Sequence, residues 1–158
     1  MRNRTIRLFS LAIWTLALGL VQAQAKSDFS GTWKANIGKS DFGPAPPPDT
    51  MIQKIVHEDP SLKINLAQTG GTGDIAYDTV YTTDGKECVN RIGDNEIKTT
   101  LKWEGDDLVA DSKGSWDGND FTAKDRWTLS DGGKTMTVQR RLSAGGTDFD
   151  MKLVFEKQ

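Results

Sequence analysis

Hydrophobic residues recur mostly at every second position after residue 30, and this alternation limits the possible folds more than any other feature. Successive side chains of a β-strand point to opposite faces, so a period of two predicts strands with one buried face. Ten runs follow the pattern, which is an upper count because two short neighbours can be the ends of one bent strand. The runs cover residues 31–37, 50–57, 62–68, 75–83, 88–92, 96–103, 108–112, 120–129, 135–142 and 149–155.

Turn-forming residues separate most of these runs, as at Asp59-Pro60, Asp84-Gly85 and Asp131-Gly132-Gly133. Such residues favour short hairpin connections, and strands joined this tightly are expected to be antiparallel neighbours. An open sheet of this size would leave exposed edges, which closure into a barrel removes. The sequence therefore predicts an all-β fold: an antiparallel up-and-down meander of about 8–10 strands closed into a β-barrel.

One connection is long and rich in proline. Residues 38–49 contain Phe42-Gly43-Pro44 and Pro46-Pro47-Pro48, and proline is unfavourable both in a helix and in a central strand. We expect an extended loop, with two possible roles. It folds over one barrel mouth and brings Phe42 to a ligand, or it is a linker with no ligand role.

The N-terminus has the features of a signal peptide. Arg2, Arg4 and Arg7 precede an apolar run over residues 8–21, and Ala23-Gln24-Ala25 supplies small residues for cleavage. We expect a signal peptide over residues 1–25, one β-barrel domain over residues 26–158, and a secreted or periplasmic location. The run is shorter than the ~20 apolar residues of a membrane-spanning helix, and no cysteine follows it to carry a lipid, so no membrane anchor is predicted.

Charge and cysteine content narrow the range of partners. The chain has 20 Lys and Arg against 22 Asp and Glu, and cleavage of the leader removes three arginines but no carboxylate. An acidic chain is a poor partner for nucleic acid or an anionic membrane.

Cys88 is the only cysteine, so an intrachain disulfide is impossible. We expect it to be a buried, inert residue rather than a reactive thiol, and the sequence fixes no oligomeric state.

Two charged residues interrupt the face that alternation assigns to the interior: Asp125 and Arg140. They flank the turn at Asp131, so their leading interpretation is an ion pair across adjacent strands, and the other is that Arg140 binds a ligand carboxylate. Tyr77 and Tyr81 share that face and either line a wet cavity or lie at the rim. The remaining interior positions are apolar or Thr: Leu62, Ile64, Leu66, Ile75, Thr79, Ile97, Thr99, Leu101, Trp103, Phe121, Ala123, Trp127, Leu129, Met136, Val138, Leu142, Phe149, Met151, Leu153 and Phe155.

No pattern in the sequence indicates catalysis. His57 is the only histidine, and beside Glu58 and Asp59 it is expected to be solvated rather than to act as a base. The acidic turns lack the alternating oxygen ligands of a calcium loop. We predict no catalytic residues, no metal site, no cofactor and no enzymatic activity.

The segment Phe29-Ser30-Gly31-Thr32-Trp33-Lys34 resembles the Gly-x-Trp start of the lipocalins and fatty-acid-binding proteins. The resemblance implies a lipocalin-like or fatty-acid-binding-like barrel in which Trp33 packs at the closed end, stacked with Arg140. There are departures: fatty-acid-binding proteins insert a helical hairpin where this chain has its proline loop, and the further lipocalin motifs and disulfides are absent.

With the segments Lys39-Ser40-Asp41-Phe42-Gly43-Pro44 and Val154-Phe155-Glu156-Lys157, the chain also resembles a group of small secreted bacterial calycin-like proteins of unassigned function. That resemblance implies the same fold and compartment and no activity.

Two functions fit the sequence. The first is a secreted binding protein that takes a small apolar or amphiphilic ligand into the barrel lumen, with Arg140, Tyr77, Tyr81, Asp125 and Phe42 as candidate binding residues. It predicts an internal cavity opening near the proline loop. The alternative is a structural or protein-interaction domain with a filled core and no ligand.

Overall fold

The computed structural model describes residues 26–71, 73–116 and 118–158, so the predicted signal peptide lies outside the described residues. Within these residues, a single 3-10 turn, Ile37–Lys39, is followed by the proline loop, and all other regular structure is β. The ten strands are β1 (Gly31–Ala35), β2 (Thr50–Glu58), β3 (Ser61–Thr69), β4 (Ile75–Thr82), β5 (Asp84–Ile92), β6 (Asn95–Glu104), β7 (Asp107–Trp116), β8 (Asn119–Ser130), β9 (Thr135–Ala144) and β10 (Thr147–Lys157).

The strands form one antiparallel sheet in the order β4-β3-β2-β1-β10-β9-β8-β7-β6-β5. Pairing of β1 with β10, for example Trp33 opposite Lys157, joins the first strand to the last and curls the meander into a nearly closed barrel. This confirms the predicted all-β meander, at the upper end of its predicted strand number. Most strand ends differ from the predicted runs by one or two residues. The larger differences are that β5 begins four residues earlier and β7 ends four residues later than predicted, and Ile37 lies in the 3-10 turn rather than in β1.

The barrel has a seam where β4 meets β5, the two ends of the sheet. The sequence predicted that these strands would pair, and this was wrong: in the described part of the chain, side chains hold them instead of a backbone ladder. The Asn90 side chain accepts a hydrogen bond from the Val80 N–H (2.8 Å) and donates one to the Val80 carbonyl (3.0 Å). The sulfur of Cys88 accepts a third from the Thr82 N–H (3.3 Å).

Because Cys88 lies at this seam, it is half-buried rather than buried as predicted, and its thiol is free. Next to the seam, the pairing of β5 with β6 has a register shift between Asp84 and Glu87.

The apolar core fills one end of the barrel, which we call the closed end. Its fully buried side chains are Phe29, Trp33, Leu62, Leu101, Leu108, Met136 and Phe155. The Trp33 indole donates a hydrogen bond to the carbonyl of Phe29 (2.8 Å), which draws the segment before β1 across this end. Burial of two large aromatic side chains is among the stronger stabilising contributions that a core of this size contains.

Trp33 lies at the closed end, as the resemblance implied, but its predicted stacking with Arg140 was wrong. Lys157 takes that place, with its Nζ 5.2 Å from the centre of the ring. Gly31 makes room for it: a Cβ there would lie 2.5 Å from Lys157 Cε, and its φ of 136° is unfavourable for other residues. Arg140 cannot reach Trp33, because it follows the closed-end Met136 by four residues, about 13 Å along β9.

His57 is also not solvated as predicted: its side chain is only 4% exposed. It packs against Trp103 (ring centres 5.6 Å apart) and Phe29 (6.2 Å), and its Nδ1 accepts a hydrogen bond from the Phe29 N–H (3.4 Å). His57 is buried because the segment before β1 crosses this end of the barrel and covers it. The acidic residues next to it in the sequence, Glu58 and Asp59, gave no indication of this cover.

Candidate functional site

The end of the barrel opposite the closed end is hollow and contains two adjoining cavities. The first, which we call the loop-side cavity, has a volume of about 280 Å³ and lies beneath Phe42, Ala45, Pro46 and Pro48 of the proline loop. The second, the hairpin-side cavity, has a volume of about 670 Å³ and opens near the β5–β6, β7–β8 and β9–β10 hairpins. Both are bordered by Tyr77, Tyr81 and Arg140, which lie between them. A hollow interior contradicts the filled core that the alternative function predicted.

The proline loop is held over the loop-side cavity by backbone contacts. Asp41 and Lys152 exchange two hydrogen bonds (2.7 and 2.9 Å), so the start of the loop is fastened to β10. The Asp41 carboxylate accepts a third from the Gly43 N–H (2.9 Å), which turns the chain and leaves Phe42 buried. The loop therefore lies over this cavity, which fits the first of its two possible roles, and Phe42 lines the cavity beneath it.

The other side of the loop rests on the β3–β4 turn. A Cβ on Gly71 would lie 3.0 Å from the Pro46 carbonyl oxygen and 3.2 Å from the Pro48 Cα, so only a glycine allows this close contact. The Asp49 N–H donates to the Thr69 carbonyl (2.8 Å) where the loop enters β2. Both ends of the loop are thus attached to the barrel wall, and this makes the loop a fixed part of the cavity.

Arg140 and Asp125 form the ion pair that was their leading interpretation. They face each other on β9 and β8, and Arg140 donates from Nε to Oδ1 (2.8 Å) and from Nη2 to Oδ2 (2.6 Å). Asp125 is buried at 6% exposure, whereas the Arg140 side chain is 36% exposed because it borders both cavities. The Asp125 carboxylate is the main cause that raises the pKa of Arg140 above its usual range. The guanidinium is therefore charged, but its charge is already balanced.

Tyr77 and Tyr81 are four residues apart on β4, so their side chains lie on the same face of the strand. Both line the same two cavities as Arg140. Burial raises the pKa of both phenols, since the low-dielectric interior disfavours phenolate. Both side chains are therefore neutral at physiological pH. Each hydroxyl can donate one hydrogen bond and accept others, which suits it to contact a polar group of a ligand.

Two polar atoms next to the loop-side cavity are buried and have no hydrogen-bond partner within residues 26–71, 73–116 and 118–158. They are the Gln53 Oε1, an acceptor, and the Trp127 Nε1, a donor. Buried polar groups in proteins are nearly always paired, and an unpaired one costs about 1–3 kcal/mol. Both residues contribute to the wall of the cavity.

Several of these lining residues were not predicted as binding residues. Gln53 shares the inner face of β2 with Met51 and Ile55, and Trp116 continues the period of two that begins at Leu108 on β7. Alternation carried a signal for both. The predicted interior face includes no position of β2, however, and the predicted run for β7 ends at residue 112.

The described residues contain no group of three His, Cys, Asp or Glu side chains that could hold a metal ion. In the same part of the chain, no helix is long and apolar enough to span a membrane.

Comparison with solved structures gives the fold class. A secretory abundant heat soluble protein from Ramazzottius varieornatus matches with a TM-score of 0.60 and 13% identity, covering 82% of this chain and 94% of that one. The zebrafish ileal bile acid-binding protein complexed with cholic acid matches with a TM-score of 0.56 and 14% identity, covering 82% and 98%. The fatty acid binding protein of Schistosoma mansoni in complex with arachidonic acid matches with a TM-score of 0.54 and 12% identity, covering 82% and 96%.

No protein-family model matches the sequence, and a comparison with curated proteins finds no significant match. The structural matches confirm the predicted fold class, a barrel of the fatty-acid-binding and lipocalin-like kind. At these identities they establish the fold alone.

Proposed function

We propose that this chain is a non-enzymatic binding protein that takes a small apolar or amphiphilic molecule into the lumen of its barrel. The observation that carries the proposal is the pair of cavities that meet at Arg140, Tyr77 and Tyr81. Concave sites with mostly apolar walls and a few converging polar groups are the usual form of small-molecule sites. The two cavities have the volume for such a molecule and the polar side chains to orient it.

The structural neighbours support the same proposal. Among them are a bile acid-binding protein with cholic acid and a fatty acid binding protein with arachidonic acid, both amphiphiles. In our proposal Phe42 and the proline loop cover the ligand, Tyr77 and Tyr81 contact its polar group, and Asp125 holds Arg140 in position. We further propose that the protein acts outside the cytoplasm, after cleavage of its leader near Ala25.

The experiment is titration with Nile red, an uncharged dye that becomes fluorescent in apolar surroundings. The test variant is Ala123→Leu, which adds bulk to a buried position lining the hairpin-side cavity. The matched control is Thr122→Leu, which adds a Leu at the exposed neighbouring position of the same strand. We expect wild type and Thr122→Leu to bind the dye equally and Ala123→Leu to bind it at least about tenfold more weakly. Equal binding by all three proteins, or by none, would contradict the proposal.

A further inference from the structure

The lumen has little net charge with which to attract a charged ligand. Among the described residues that line the two cavities, Arg140 is the only charged one. The Asp125 carboxylate, bound to it through two hydrogen bonds, cancels that charge. A ligand carboxylate would bring a second negative charge to one guanidinium in a low-dielectric interior, and an uncompensated buried charge is costly.

The unpaired polar atoms of two residues that line the loop-side cavity also favour a particular ligand chemistry. Gln53 Oε1 needs a donor and Trp127 Nε1 needs an acceptor. An ionised carboxylate has no proton to donate and could satisfy only the indole, whereas a hydroxyl group both donates and accepts. The neutral phenols of Tyr77 and Tyr81 can pair with a hydroxyl in either direction.

From the balanced charge and the unpaired donor and acceptor, we propose that the polar group of the ligand is an uncharged hydroxyl, so that the barrel takes an amphiphilic alcohol rather than a free carboxylic acid. This inference rests on the proposed function, since it names the class of molecule that the same lumen binds. A site whose buried groups pair with a substrate hydroxyl discriminates strongly against analogues that leave those groups unpaired.

The test compares myristyl alcohol with myristic acid, which have the same chain length, as competitors for bound Nile red at neutral pH. We expect the alcohol to displace the dye at a concentration at least about tenfold lower than the acid does. If the acid competes as well as the alcohol or better, this inference is overturned, while the proposed function stands. If Nile red itself does not bind, the proposed function fails and this inference fails with it.

Two variants test the two parts of the argument separately. Asp125→Asn keeps the shape of the carboxylate but removes its charge, so Arg140 is released to bind an anion, and we expect the affinity for myristic acid to rise about tenfold. Gln53→Leu removes the unpaired acceptor, so we expect the preference for the alcohol over the acid to fall severalfold. If Asp125→Asn does not fold, the test rests on Gln53→Leu. An unchanged preference of this variant for the alcohol over the acid would overturn the inference.

Discussion

Arg140 and Asp125 lie directly opposite each other on β9 and β8, joined by hydrogen bonds of 2.8 and 2.6 Å inside the barrel wall. The pair allows a charged guanidinium to lie among described lining residues that are otherwise apolar or neutral. It also limits the chemistry of the lumen, because the guanidinium is already bound to an anion from its own chain. The described residues that line the two cavities therefore carry no uncompensated positive charge.

The first prediction concerns the stability of this pair. Arg140→Met leaves the buried Asp125 carboxylate without its partner and should cost about 3–5 kcal/mol of unfolding free energy, measured by urea denaturation. The double variant Asp125→Leu with Arg140→Met replaces both charges by apolar groups and should be more stable than Arg140→Met alone. If Arg140→Met is as stable as the double variant, the charges of Asp125 and Arg140 are not coupled.

A second prediction concerns acid stability at the closed end. Asp59 accepts hydrogen bonds from the Thr83 hydroxyl and the Trp103 indole, and these lower its pKa from 3.8 to about 2. Because the folded-state pKa is the lower one, ionised Asp59 stabilises the fold fully above about pH 4, and this contribution is lost as pH falls through about 2. The unfolding free energy of Asp59→Asn should therefore fall less than that of wild type between about pH 4 and pH 2.

The measurement for Asp59 is urea unfolding at a series of acidic pH values. Asp94→Asn, at the exposed β5–β6 turn, is the control and should follow the wild-type curve more closely than Asp59→Asn does. The Asp59 side chain is 39% exposed, so solvent screening moderates the size of the effect and the comparison between variants is the readout. An Asp59→Asn curve parallel to wild type throughout would contradict the prediction.

The seam between β4 and β5 gives a third prediction. Asn90→Ala removes both hydrogen bonds that hold Val80, so the Val80 amide should exchange with solvent markedly faster and stability should fall by about 1–3 kcal/mol. The control is Asn65→Ala, which removes a side-chain bond to Asp78 where the backbone ladder of β3 and β4 remains. Amide exchange followed by NMR distinguishes them, and unchanged exchange at Val80 in Asn90→Ala would refute a side-chain seam.

A fourth prediction tests the leader. If residues 1–25 are a signal peptide, the exported protein should begin at Lys26, as read by mass spectrometry of its N-terminal peptide. Ala23→Lys with Ala25→Lys should block cleavage, since the processing site requires small residues. Recovery of the wild-type chain in the cytoplasm with its N-terminus intact would contradict the proposed location.

Alternation along individual strands predicted much of this structure, including the inner face that holds Asp125, Arg140, Tyr77 and Tyr81. Alternation succeeded because the face on which a side chain lies is set by the sequence of its own strand and the strand paired with it in a hairpin. Contacts between distant segments were not predictable in the same way. The stacking of Lys157 on Trp33 depends on β1 pairing with β10, and burial of His57 depends on a segment that crosses the closed end.

The seam illustrates a second limit. Asp84-Gly85 is a good hairpin signal, yet β4 and β5 are joined by Asn90 and Cys88 side chains. Turn chemistry is local, whereas the choice between a backbone ladder and a side-chain bridge depends on the curvature that closes the whole barrel.

Whether this barrel is a binding protein is tested most directly by native mass spectrometry of the protein purified from its own host, followed by identification of any molecule released on denaturation. We predict one small amphiphile per chain, with an uncharged hydroxyl as its polar group. A bare chain mass, from protein that also takes up no Nile red, would contradict a binding role for the lumen.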